Sequence, residues 1–185
     1  AYTCLREGEA FAAEAARLDL GPDERPRFGW KRGAAAIGAE EQEQLVKAGL
    51  LRPDERWMRL RDADTGAEVR YHGGSIAWNE YRRRWVLICT QLFGDVSMLG
   101  EVWFAESERP EGPWIEARRV ATHPNYSYYN PMQHPYFAKE GGRVIFFEGT
   151  YTRTFSGAPA PEPRYEYNQL LYKLDLNDLF PPDPE

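Results

Sequence analysis

The sequence predicts a mainly β protein: antiparallel four-stranded meanders forming part of a β-propeller, with short helices in the N-terminal third. Three observations predict it. Strand-like runs of five to ten residues follow one another from Arg56 onward, tight-turn residues separate them, and one hairpin pattern occurs twice. Consecutive short strands joined by tight turns point to antiparallel meanders, which build a sandwich, a barrel or a propeller, and the repeat favours the propeller.

Taken in order, residues 1 to 55 form a mixed segment with short helices and room for a few strands. Gly8 to Arg17 and Gly38 to Leu51 are rich in Ala, Glu, Gln and Leu, and Glu40, Glu41 and Glu43 lead into Leu45, Val46 and Leu50 at roughly helical spacing. Both stretches are therefore expected to be helical, the second ending near Gly49 to Pro53. Between them, Leu18 to Leu20 and Arg27 to Trp30 read as short strands around the turn-prone Gly21-Pro22-Asp23.

Residues 56 to 185 read as blades of one larger domain. Strands are expected at 57–61, 74–78, 84–92, 100–107, 114–122, 133–138, 143–152 and 165–174. The punctuation is Asp62 to Gly66, Asn79 to Arg83, Phe93-Gly94-Asp95, Pro110 to Pro113 and Lys139 to Gly142. The repeat lays Ser75-Ile76-Ala77-Trp78 and Arg84 to Ile88 over His134-Pro135-Tyr136-Phe137 and Arg143 to Phe147. Each copy is an inner strand hairpinned to a more apolar one, the unit that radial blades repeat.

Composition narrows the function classes. A net charge of −6 gives no basic field for phosphates, so nucleic acid is not an expected partner. No apolar run approaches the roughly 20 residues of a membrane helix, so neither is a membrane. The chain carries 6 Trp, 11 Tyr and 9 Phe, whose flat faces suit sugars although most rings in a β protein are core. Its two cysteines, Cys4 and Cys89, make no disulfide framework, and Cys89 lies in an apolar strand pattern where a buried thiol is expected. The sequence opens Ala1-Tyr2-Thr3 without Met, so a leader or upstream region is expected to have been removed; a secreted or periplasmic location would follow from a lost leader.

Tyr71-His72-Gly73-Gly74-Ser75-Ile76, Trp85 to Ile88, and Val102 to Ser107 running on to Pro110-Glu111-Gly112-Pro113-Trp114 resemble the later blades of five-bladed propellers of the glycoside hydrolase family 43 type. Asn130 to Pro135 continues the resemblance as the innermost strand of a last blade. The resemblance covers about residues 56 to 176 and is most specific over Ala105 to Trp114. It implies a glycan as ligand and an axial funnel holding two aspartates and a glutamate acid. That trio has no match here: Glu111-Gly112-Pro113 has the acid's local sequence but falls in the turn before Trp114. A chain of this length holds about three four-stranded blades, so upstream blades or a second chain are expected to cover an open sheet edge.

Polar residues on innermost strands would converge on the axis. His134, beside Asn130 and Gln133, is placed there, with His72 and Ser75 in the corresponding region of the preceding blade. The resemblance implies that an axial histidine such as His134 can stand near a water-bound cation such as calcium. No Asp/Glu cluster supplies the oxygen shell a hard cation prefers, so no cofactor or metal is assigned.

Glu148 is the candidate acid. Alternation puts Val144, Phe146, Glu148, Thr150 and Thr152 on one face of their strand, with Ile145, Phe147 and Tyr151 on the other. A carboxylate in so apolar a run must be paired or raised in pKa; Arg153 and Arg164 are the available partners. Glycoside hydrolysis needs two carboxyl groups roughly 5 to 10 Å apart, and Glu101 is the distant second, with Asp95 expected in solvent. Tyr151, Arg164 and Asn168 complete the expected rim, around the long proline-rich loop 152–164. The expectation is a carbohydrate-active propeller portion that binds a glycan and hydrolyses a glycosidic bond if Glu148 is competent; the alternative is a non-catalytic carbohydrate-binding or structural propeller.

Overall fold

The computed structural model describes residues 1–95, 97–123, 126–160 and 166–180, which form two compact units, Ala1–Arg59 and Leu60–Glu185. The protein is mainly β with antiparallel sheets and few helices. Among the described residues no helix is long and apolar enough to cross a membrane.

In the first unit, β1 (Tyr2–Thr3) pairs antiparallel with β2 (Gly29–Trp30), beside the single bridges Leu5 to Leu18 and Leu20 to Pro26. Helix α1 (Ala39–Lys47) begins where Glu41 Oε2 accepts the Gly38 N–H at 2.7 Å, and it stops at Gly49, whose φ of 73° suits a residue without Cβ. Leu45 faces a core of Cys4, Leu5, Ala16, Leu18, Ile37 and Leu51. The buried Gln42 amide donates to Gly38 O and accepts from the Trp57 N–H.

The helix expected over Gly8 to Arg17 does not form. Its backbone groups are committed elsewhere: the Gly8 N–H donates to Arg32 O, Glu9 O accepts from Ala35, and Arg17 O accepts from Arg6. Gly8 also takes a left-handed turn at φ 72°, so Ala-rich composition loses to long-range pairing.

Asp19 accepts from Lys31 and, at 2.8 Å, from Arg27. Lys31 first and Arg27 second hold this carboxyl below the usual carboxylate range. Because the folded value is the lower one, the stabilisation is present above the ordinary value of about 4 and is lost as pH falls through the depressed one. Asp19→Asn is expected to unfold more easily than the native chain at pH 7, and the gap should close on strong acidification as Asp19 itself takes a proton; acid titrations of urea midpoints check it.

The second unit holds two sheets. The first has the order β3-β7-β6-β5-β4, from β3 (Met58–Asp62), β4 (Tyr71–Asn79), β5 (Arg84–Gln91), β6 (Glu101–Ser107) and β7 (Trp114–Thr122). β4 to β7 form a four-strand meander, and β3 adds to its outer edge. The second sheet is β10-β9-β8, from β8 (Ser127–Gln133), β9 (Val144–Thr152) and β10 (Asn168–Asp175). It has three strands among the described residues, because Asp175 caps the short helix α2 (Leu176–Leu179) by accepting the Asn177 N–H and so turns the chain out of the sheet. Phe180 then lies against Phe104, with the Arg82 guanidinium 3.9 Å above its ring.

The two sheets pack face to face through Val86, Ile88, Val102 and Phe104 on one side and Tyr128, Ile145, Phe147 and Tyr151 on the other. The strand expected over Gln133 to Ala138 lies earlier, at Ser127–Gln133. Pro135 has no N–H to give a ladder and instead starts a 3-10 turn over Pro135–Phe137. The first strands of the sheets, β4 and β8, run side by side in one direction. Their contacts ascend together: His72 stacks on Tyr129 at 6.1 Å, Ser75 bonds Gln133, and Asn79 Nδ2 donates to Gly142 O.

Burial pushes the Cys89 thiol up to about 12 and that of Cys4 to about 11. Neither is therefore a thiolate near neutral pH. Ellman's reagent at pH 8 is expected to modify neither cysteine in the native chain and both in denaturant; rapid native labelling would contradict their burial.

Candidate functional site

Two β-bulges decide which way the edge strands β4 and β8 aim their side chains. On β4 the register slips by one residue between Tyr71 and Gly74, which turns His72 onto the face shared by Thr90 and Ile88. On β8 the slip falls between Tyr129 and Met132, with Asn130 left-handed at φ 51°. His72 consequently meets Tyr129, while Asn130 spends its backbone on the bulge.

Ser75 and Gln133 join the sheets. Ser75 Oγ accepts the Gln133 N–H at 2.7 Å, and Gln133 Nε2 donates to Ser75 O at 2.8 Å and Val86 O at 3.0 Å. Gln133 is 9% exposed, so both amide hydrogens are used within the protein and hold β8 against β4 and β5.

Below this joint opens a cleft of about 370 Å3, lined by Trp78, Asn79, Glu80, His134, Pro135 and Phe146 among others. That size lies within the roughly 300–1,000 Å3 of small-molecule sites. Trp78, 40% exposed, is braced edge-on by Trp85 at 5.8 Å and offers its indole to solvent. Asn79 is buried and fixes the floor: its Oδ1 accepts the Arg82 N–H while its Nδ2 holds Gly142, whose φ of 100° lets the chain turn there.

His134 stands at the edge of this cleft, just past the end of β8, where its N–H still donates to Phe146 O. Tyr136 Oη lies 2.6 Å from His134 Nδ1. Glu148 Oε2 lies 3.2 Å from Nε2, but the approach falls short of hydrogen-bond alignment, so this second link is electrostatic. Glu148 is on the face of β9 away from the core, as alternation predicts, with Phe146 and Thr150; Ile145, Phe147 and Tyr151 are buried on the other. The partner at Glu148 is a histidine and not Arg153, which pairs with Glu166 at 3.6 Å.

The remaining expected residues fall elsewhere. Tyr151 is buried in the core against Tyr126 at 4.5 Å, and Asn168 opens β10 opposite Tyr151. Tyr151 lies three residues further along β9 than Glu148, roughly 10 Å at 3.3 Å per residue, and Asn168 lies across from it. Arg164 lies outside the described residues. Glu101 is 1% exposed and accepts from Arg119 at 2.9 Å, at the end of its sheet where β4 begins, whereas the cleft lies where β4 finishes; Asp95 is exposed in a turn. His134 and Glu148 are thus brought together, with Gln133 beside them but turned to β4 and β5, while His72 and Asn130 lie further up β4 and β8 and neither Glu101 nor Asp95 lies at the cleft. Among the described residues no group of three or more His, Cys, Asp or Glu is placed to hold a metal ion.

Trp78, Phe146 and Tyr136 are not among the site residues that the sequence predicts. Tyr136 had a signal, since a proline after a histidine starts a turn that folds residue i+2 back on residue i. No protein-family model matches the chain, and no curated protein matches it.

Proposed function

We propose that the second unit is part of a carbohydrate-active β-propeller, akin to the family 43 glycoside hydrolases it resembles, and that the cleft beside Trp78 and His134 binds a glycan. The observation that carries the reading is a cleft lined by Trp78, His134 and Phe146, with the Trp78 indole braced by Trp85 and half open to solvent. A sugar presents C–H groups to a flat ring and hydroxyls to polar edges, which this pairing suits. The parallel inner strands β4 and β8, with meanders leading away from both, support reading the two sheets as neighbouring blades.

Binding without hydrolysis is the better supported form. Hydrolysis of the usual kind needs two carboxyl groups across the bond, and neither Glu101 nor Asp95, the second carboxyls the sequence offers, lies at the cleft with His134. The test is a glycan array followed by calorimetry on the full chain. Trp78→Ala is expected to weaken the best-bound glycan at least tenfold while the far-ultraviolet dichroism stays unchanged. An array without binders, or affinity unchanged in Trp78→Ala, contradicts the reading. Glu148→Gln separates the two forms: turnover lost with binding kept indicates catalysis.

A further inference from the structure

We propose that Tyr136, His134 and Glu148 form a relay in which His134 takes the Tyr136 proton and the Glu148 charge stabilises the ring that holds it, making the Tyr136 phenol an unusually reactive oxygen nucleophile toward acyl electrophiles such as esters. The inference does not rest on glycan binding. It rests on three groups in series and on how exposed the last of them is.

Glu148 places a carboxylate 3.2 Å from His134 Nε2. That charge favours the proton of the neutral ring on Nε2, which leaves the Nδ1 lone pair as an acceptor. Tyr136 Oη, 2.6 Å from Nδ1, then donates its proton into the ring. When the phenol attacks, the proton passes to Nδ1 and the imidazolium formed lies against the Glu148 carboxylate. A nucleophilic O–H, a base within hydrogen-bond reach and a third group that orients and stabilises the base are the parts that activate a hydroxyl. The His134 side chain is 12% exposed, so the base is shielded from bulk water, whereas Tyr136 is 74% exposed and meets a reagent freely.

The local fold enforces the arrangement. Pro135 starts the 3-10 turn, and the Phe137 N–H donates back to His134 O, so the tyrosine two residues on returns over its own histidine with ring centroids 5.3 Å apart. Phe137 packs on both rings, at 4.5 Å from Tyr136 and 5.5 Å from His134.

The step is acyl transfer. A bond forms between Tyr136 Oη and the acyl carbon, the ester's C–O bond breaks, the leaving group departs with the bonding pair, and the phenolic proton resides on His134. Para-nitrophenyl acetate is the probe. Acetylation is followed residue by residue in the full chain by peptide mass spectrometry, with Tyr167 as internal reference because it is 67% exposed. Tyr136 is expected to acetylate at least tenfold faster than Tyr167. His134→Gln should bring the two rates together, and Glu148→Gln should lower the Tyr136 rate severalfold while leaving Tyr167 unchanged. Equal rates in the native chain, or an advantage that survives His134→Gln, would overturn the proposal. A Tyr167 rate that moves in either variant would show a general change of fold; His134→Asn then serves as the second replacement, and an advantage surviving in it also overturns the relay.

Discussion

Gly74→Ala is expected to destabilise the second unit by an amount at or above the upper end of the roughly 1–3 kcal/mol that overpacking costs. A Cβ at Gly74 would stand 2.1 Å from Ile88 O and 2.7 Å from Cys89 Cα. Both obstacles are backbone, and they belong to β5, whose Ile88 and Cys89 are 0% and 1% exposed and packed within the unit. β5 cannot retreat without opening the core between the sheets. Gly73→Ala is the matched control: no atom lies within 4 Å of a Cβ there, and removing glycine freedom is neutral or mildly favourable. Urea unfolding of both variants should therefore separate two adjacent glycines by several kcal/mol of the overpacking scale. Equal midpoints would mean that the bulge re-aiming His72 is not where the structure puts it.

Gln133→Met is expected to cost about 2–3 kcal/mol, the scale of leaving buried carbonyls without donors. Methionine keeps the length of the side chain and loses both N–H groups, so Ser75 O and Val86 O each lose a partner while packing is nearly preserved. Ser75→Ala removes a single acceptor, from the Gln133 N–H, and should cost about 1 kcal/mol. Because the two residues share one joint, the double variant should cost less than the sum of the singles. Additive losses, or a Gln133→Met chain as stable as the native one, would show that β4 and β8 are held together by something else.

The legible part of the fold was set by local rules. Turn residues at Asn79 to Arg83 and Lys139 to Gly142, and alternation within Val144 to Thr152, carry their information within a few residues, so the meanders and the outward face of Glu148 could be read directly. The parts not read were decided at a distance. Gly8 to Arg17 has helical composition, yet its N–H and C=O groups pair with Arg32 and Ala35. The repeat placed an inner strand at His134 to Phe137, but Pro135 ends pairing there, and the strand is drawn from Ser127–Gln133.

The site was legible in the same proportion. Gln133, His134 and Glu148 were named from pattern and are near one another, but pattern cannot show that the Gln133 amide is spent on β4 and β5. Nor does it show that a one-residue slip re-aims His72. Tyr151 and Asn168 share a strand register that carries them away from Glu148 toward the far end of the sheet. Arg153, offered as a partner for Glu148, lies five residues further along and bonds Glu166 across the chain instead.

The central claim is that the inner strands β4 and β8 converge to make one cleft that takes a glycan. Nuclear magnetic resonance titration of the full chain with a panel of pentose and hexose oligosaccharides tests it most directly. The account predicts dose-dependent shifts at the Trp78 indole, the His134 ring and the Phe146 ring, with Tyr151 and Asn168 unmoved. Shifts confined to Tyr151 and Asn168, or to the first unit, or none with any member of the panel, would contradict it.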